Sequence, residues 1–221
     1  MRFVSRRTVR LLILRIDLFT HISESVPGFA IERKDESLLM KILSCFLFFN
    51  EKFMSRYATM VYPKVYVPKW WGKNKRTAHP ELSIMTHEYM HLLDRKRMGW
   101  LFNIMYLSPQ IFSLLALGAF WNRWFLFALL FLLPWPSPGR AWLEYRGYRM
   151  TMAFQYWTKR TKCDIDWIVN QFTGASYYFM FPFREFLIKK FNEDYNKIVD
   201  GDLTNELKKV KCIIDRRGRD V

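Results

Sequence analysis

From position 87 to 91 the chain reads His-Glu-Tyr-Met-His. Two histidines four positions apart lie on the same face of a helix, and from adjacent turns both imidazoles can offer a nitrogen to one tetrahedral Zn²⁺. Glu88 is offset by one residue, so its carboxylate reaches a water on the metal rather than the metal itself, which is where a general base belongs. With four His and ten Glu among 221 residues, shuffling would produce this HExxH pattern about 0.3% of the time. The competing reading is an amphipathic helix with two partly buried histidines and Glu88 paired to a lysine.

A catalytic zinc normally has three protein ligands and one open position. His21 and His79 are the other histidines, and the metzincin continuation is absent, since Asp94 and Arg97 stand where that class has Gly and His. A carboxylate is therefore expected as the third ligand. Glu144 is the candidate. It falls in the second turn of a helix that follows the breaker run Pro134-Trp135-Pro136-Ser137-Pro138-Gly139, with Ser137 as cap and Pro138 at the first position. Its neighbours are Ala141, Trp142, Leu143, Tyr145 and Tyr148, and a carboxylate among aromatics needs a partner that a metal would supply. The alternative is a surface pair with Arg140 or Arg146.

His87, Glu88, His91 and a helical Glu144, 57 positions after the first histidine, resemble the gluzincin class of zinc metallopeptidases. Within it, His87 to Asp94, HEYMHLLD, resembles the HExxHxxD helix of the lethal-factor and Mlc-titration-factor type peptidases. The resemblance implies a zincin-like α+β fold, mostly helical, with a small sheet whose edge strand lies over the active-site helix. It also implies Zn²⁺ held by His87, His91 and Glu144, Glu88 as base, and a peptide or protein substrate. Two sequences of the class are missing: Leu143 precedes Glu144 where thermolysin-type enzymes have Asn, and Gly147 and Tyr148 replace the last two residues of the membrane-protease ExxAD. Asp94 is expected either to accept a ligand imidazole N–H or to pair with Arg97 near solvent. Tyr148 is the chosen donor to a tetrahedral oxyanion, with Tyr177 and Tyr178 as alternatives and a plain core role as the competing reading for each.

The elements that must position these groups follow from capping and periodicity. Pro80 suits a first helical position, Glu81 a first turn, and Arg95, Lys96 and Arg97 a last turn before Gly99, so the histidine helix is expected from Pro80 to Met98. A core helix is read from about Asp35 to Arg56, on Leu38, Leu39, Ile42, Leu43, Cys45, Phe46 and Phe49. Tyr57 to Val67 is rich in strand formers, and Pro63 restricts it to a sheet edge or a bulge, where a peptide can pair. Trp70, Trp71, Gly72, Lys73, Lys75 and Arg76 read as a loop, and helices are expected at Asp164–Phe172, Pro182–Val199 and Leu203–Ile214. The first 20 residues read as the first strand or helix of the fold rather than a secretion signal, because Arg15 and Asp17 interrupt the apolar stretch.

Ile111 to Pro136 is apolar and long enough in total to cross a bilayer, which takes about 20 residues. Asn122 and Arg123 break it, and a central Arg costs about 2.5–3.5 kcal/mol on insertion scales. The expected form is a mostly buried helical hairpin joined at Asn122-Arg123, with a hairpin dipping into one leaflet as the alternative.

Length and composition set the frame. The 221 residues suffice for one domain, into which the hairpin at 111–136 is inserted and from which a basic helix and tail at 203–221 extends. At 51% hydrophobic and 18% aromatic, the chain is excluded from the disordered and low-complexity classes. Three cysteines without a CxxC pair rule against a thiolate zinc knuckle and a disulfide scaffold, and suggest a reducing, cytoplasmic setting. A net charge of +15 favours anionic partners, with peripheral contact to anionic membrane admitted and nucleic acid disfavoured for lack of a motif. The expected function is a zinc metallopeptidase. The alternative is a non-catalytic, basic structural or nucleic-acid- or membrane-associated protein with a zincin-like fold, which metal content would separate.

Overall fold

A computed structural model describes residues 6–46, 53–73, 78–133, 135–175 and 179–216. The architecture is α+β and mostly helical. In chain order the elements are α1 (Arg6–Ser25), β1 (Ala30–Arg33), α2 (Leu38–Phe46), β2 (Thr59–Val61), β3 (Lys64–Val67), α3 (Ala78–Met98), α4 (Leu101–Leu107), two 3-10 arms (Gln110–Phe120 and Arg123–Leu132), α5 (Pro138–Lys159), α6 (Ile165–Thr173), α7 (Arg184–Asp200) and α8 (Asn205–Arg216). The expected helix from Asp35 is realised only over α2, and its continuation through residues 47–52 lies outside the described residues.

The strand expected at Tyr57 to Val67 is in fact a hairpin. Tyr62 and Pro63 form the turn between β2 and β3, because a residue without an N–H serves better between two strands than within one. The sheet order is β1-β3-β2, with β1 parallel to β3 (Ala30 opposite Lys64, Arg33 opposite Val67) and β2 antiparallel to it (Thr59 opposite Tyr66). The segment that carries Val65, Tyr66 and Val67 is thus the centre of the sheet and is buried there, and the edge positions go to β1 and β2. β1 was not anticipated. At four residues, Ala-Ile-Glu-Arg, it is too short and mixed to announce itself, and it exists because β3 needs a second partner.

Two long helices, α3 and α5, form the centre, and the other elements cover them. α1 buries Leu14, Leu18 and Ile22, one turn apart, in the same core as Leu82, Met85, Tyr89 and Leu92 of α3. α8 closes that side with Leu207, Val210 and Ile214, while α6 and α7 contribute Ile168, Phe172, Leu187 and Phe191 beside α5. The basic residues of α8 therefore ride on an amphipathic helix that is docked to the core over Asn205–Arg216, and 217–221 lie outside the described residues.

The N-terminus of α3 is fixed by Glu81. Its buried carboxylate accepts from the Gly72 N–H at 2.9 Å and from Arg15 Nη1 at 3.3 Å, tying the loop after the sheet and α1 to the first turn. Ser137 occupies the N-cap of α5, with Pro138 next, as expected. Its hydroxyl, however, donates to the Ser108 carbonyl instead of accepting from the helix, and so joins the start of α5 to the end of α4.

Between α4 and α5 the structure departs most from the sequence reading. The two arms pack against each other, joined at Trp121-Asn122, but they do not fold into the core. Ala128 is the one residue of the arms that is buried. The expectation of a mostly buried hairpin is overturned, because the helices around α3 and α5 already close the core and leave the arms no surface to cover.

Candidate metal centre

The centre sits where α3 crosses α5. His87 and His91, at i and i+4, present their rings from one face of α3 to a stripe on α5 made by Glu144, Gly147 and Thr151. Their ligand atoms lie within 4.8 Å of one another. The His87 and His91 Nε2 atoms are 3.1 Å apart, Glu144 Oε2 is 3.2 Å from His87 Nε2, and Glu144 Oε1 is 3.7 Å from His91 Nε2. Ligands held tetrahedrally at about 2.0–2.1 Å from Zn²⁺ stand about 3.3 Å from one another. Two imidazole nitrogens and a carboxylate at these separations therefore fit a small divalent cation with N and O ligands.

Glu144 is not a surface group. It is 1% exposed, and the arginines proposed as surface partners are engaged elsewhere: Arg140 donates to the Tyr106 carbonyl and to Gln110, and Arg146 to Asp94. Burial by itself would raise the Glu144 carboxyl, but hydrogen bonds and charge from His87 and His91 outweigh it and hold the group far below the usual carboxylate range. Conversely, burial would lower His91, and its hydrogen bond to Glu144 raises it. Glu88, buried at 8% exposure, is raised by desolvation despite the opposing pull of both histidines.

Three residues of this centre were not found from sequence. Tyr106, on α4, donates its hydroxyl to Glu144 Oε1 at 2.7 Å, and burial together with Glu144 pushes that hydroxyl's pKa well above the usual value. Gly147 lets the His87 ring lie against the α5 backbone, since a β-carbon there would stand 2.6 Å from His87 Cε1 and 2.7 Å from Nε2. Lys34, directly after β1, is fully buried. Its ammonium donates to the Phe53 carbonyl at 2.6 Å, lies 3.9 Å from the Phe53 ring centroid, and is lowered to about 8 by burial, with Glu88 pulling the other way. The glycine alone left a trace, as the residue that broke the ExxAD pattern.

Asp94 takes neither of its expected roles. It is 1% exposed and pairs with Arg146 Nε at 2.9 Å, linking α3 to α5. Thr151 Oγ1 stands 3.4 Å from His87 Nδ1, whereas His91 Nδ1 is buried with no hydrogen-bond partner among the described residues. Tyr148 is core-like: its ring meets His87 edge-on at 4.9 Å between centroids and also packs against Trp167 and Phe172. Tyr177 and Tyr178 lie outside the described residues. His21 and His79 are elsewhere, facing Tyr89 and Thr158. No protein-family model matches the chain, and neither a curated protein nor a solved structure matches it.

Proposed function

We propose that this chain is a zinc-dependent metallopeptidase of zincin-like fold, in which His87, His91 and Glu144 hold the metal and Glu88 is the general base. The observation that carries the reading is the convergence of the three donor groups at metal-ligand spacing, from two helices, with the buried and upshifted Glu88 one residue from a ligand. When bound, Zn²⁺ supplies Lewis acidity toward a peptide carbonyl and lowers the pKa of a water to about 7.

The chain's own groups do the rest. His87 and His91 would offer imidazole nitrogens and Glu144 a carboxylate to the metal, and the Tyr106 hydroxyl holds that carboxylate in place. Glu88 takes a proton from the attacking water and gives it to the leaving amine nitrogen. A substrate strand would pair at the edges of the sheet, which are β1 and β2.

The test is zinc content with a base variant. Purified chain should bind one zinc, His91→Ala should lose it, and Glu88→Gln should keep zinc and fold while peptide hydrolysis falls by at least 10²-fold. Failure of the wild-type chain to take up zinc at neutral pH would remove the reading.

A further inference from the structure

The two 3-10 arms are inverted relative to a water-facing element. Apart from Gln110 and Ser113 in the first arm and Arg123 at the start of the second, their side chains are apolar, and the large ones face outward: Phe120 is 93% exposed, Trp121 87% and Leu117 66%, and the run from Trp124 to Leu132 carries no charged, amide or hydroxyl group. Their polar groups are turned in. At the tip the Trp121 and Asn122 N–H groups donate to the Gly118 carbonyl, the Phe125 N–H to the Asn122 carbonyl, and the Trp124 N–H to Asn122 Oδ1. At the base the Trp135 indole donates to the Leu130 carbonyl. Gly118 permits close approach of the arms, since a β-carbon there would stand 2.8 Å from the Phe125 ring. Self-satisfied backbone, outward hydrocarbon and a small residue between close-packed arms are what a lipid environment demands.

From this we infer that the hairpin from Gln110 to Leu132 inserts into a lipid bilayer and anchors the metal-centre domain to the membrane surface. The inference does not rest on the metallopeptidase reading.

Length and orientation favour a bilayer over other occupants. At about 2.0 Å per residue the arms of 11 and 10 residues reach about 20 Å, less than the ~30 Å hydrocarbon core, so the chain enters and returns on one side. Trp135, exposed at the base of the hairpin, sits where the chain enters the bilayer, as expected of a residue that favours membrane–water boundaries, while Trp121 and Trp124 at the tip lie within the hydrocarbon. Arg123 stands beside the tip tryptophans, its guanidinium carbon 6.0 Å from the Trp124 ring centroid. α4 is bent by 91° from the first arm, so with the arms along the bilayer normal it lies along the headgroup layer. A groove on a protein partner would cover one face and would select a polar reverse side, which these arms lack.

The test uses the full chain with phosphatidylcholine vesicles at 0.1 M and 1 M NaCl. Flotation should persist at 1 M salt without anionic lipid, because apolar burial is not screened. Acyl chains brominated near the bilayer centre should quench the chain's tryptophan emission, less so in Trp121→Phe/Trp124→Phe. Replacing the exposed Leu117, Leu126 and Leu130 with Glu should weaken partitioning by at least tenfold. Glu88→Gln and His91→Ala should float like wild type, so loss of the metal reading leaves this one standing. Three results would overturn the inference: no flotation and no quenching; binding to anionic vesicles alone that vanishes at 1 M salt; or a lipid-free dimer that the triple Glu variant dissolves while vesicles remain unbound, which would assign the surface to a second copy.

Discussion

Where α3 meets α5, the chain removes charge from water; in the hairpin a short distance along the sequence, it leaves hydrocarbon in contact with solvent. Glu81, Glu88, His91, Asp94 and Glu144 are all buried, whereas nearly every large apolar side chain from Phe112 to Leu133 is exposed. Both arrangements are costly for an isolated chain in water, since buried ionisable groups need partners and exposed apolar area forfeits about 25 cal/mol per Å². The difference teaches what each region requires: partners for its buried charge in the first, an apolar neighbour for its hydrocarbon in the second. α4 joins them, turning Tyr106 to Glu144 while the first arm leaves its C-terminal end at a right angle.

The contrast can be broken most decisively through Lys34. Its folded pKa of about 8 lies below the ordinary 10.5, so the charged form is disfavoured in the folded chain. The resulting destabilisation is fully present below pH 8 and is relieved as pH rises from 8 to 10.5. Urea unfolding should therefore show wild type gaining up to about 3 kcal/mol relative to Lys34→Met across that interval. Parallel pH profiles would place the ammonium in water and spoil the comparison.

Gly147→Ala should come next. Helix propensity favours Ala by about 1 kcal/mol, but the new methyl collides with the His87 ring, and overpacking of this kind costs about 1–3 kcal/mol. A net loss of stability with weaker zinc uptake is expected by thermal melts and metal titration; a more stable variant with unchanged zinc affinity would mean that the ring is free to move. Tyr106→Phe removes only the hydroxyl that holds Glu144 Oε1. Zinc affinity measured against a competing chelator should fall about 10–100-fold with the fold retained.

The smallest effect belongs to the hairpin. Leu126, 52% exposed, should tolerate Ser within about ±0.5 kcal/mol in lipid-free buffer. The fully buried Leu143, by contrast, should lose about 2–5 kcal/mol on change to Ala. A loss above 2 kcal/mol at Leu126 would mean the arms are packed after all.

The histidine helix was legible because its information is local. Pro80, Glu81 and the basic last turn delimit α3 closely enough that the structure moves its start by two residues, to Ala78, and the i, i+4 spacing alone places His87 and His91 on one face. Glu144 was legible as a carboxylate out of place among aromatics. The hairpin's two arms and their break were legible too, but burial depends on what else covers the core, and a run of Leu and Phe reads the same whether it meets protein or lipid.

By itself, then, the sequence determined the helices, the caps that bound them and the spacing that puts His87 and His91 on one face of α3, all of which are short-range consequences of backbone periodicity, whereas the approach of Glu144 from α5 is tertiary. Only the tertiary structure decided that Arg146 claims Asp94, that Tyr106 reaches Glu144 from the next helix, that the backbone at Gly147 seats the His87 ring and that Lys34 is buried near Glu88. These contacts join segments far apart in the chain. No local pattern encodes them, because they arise from which helix faces come together once the common core has closed.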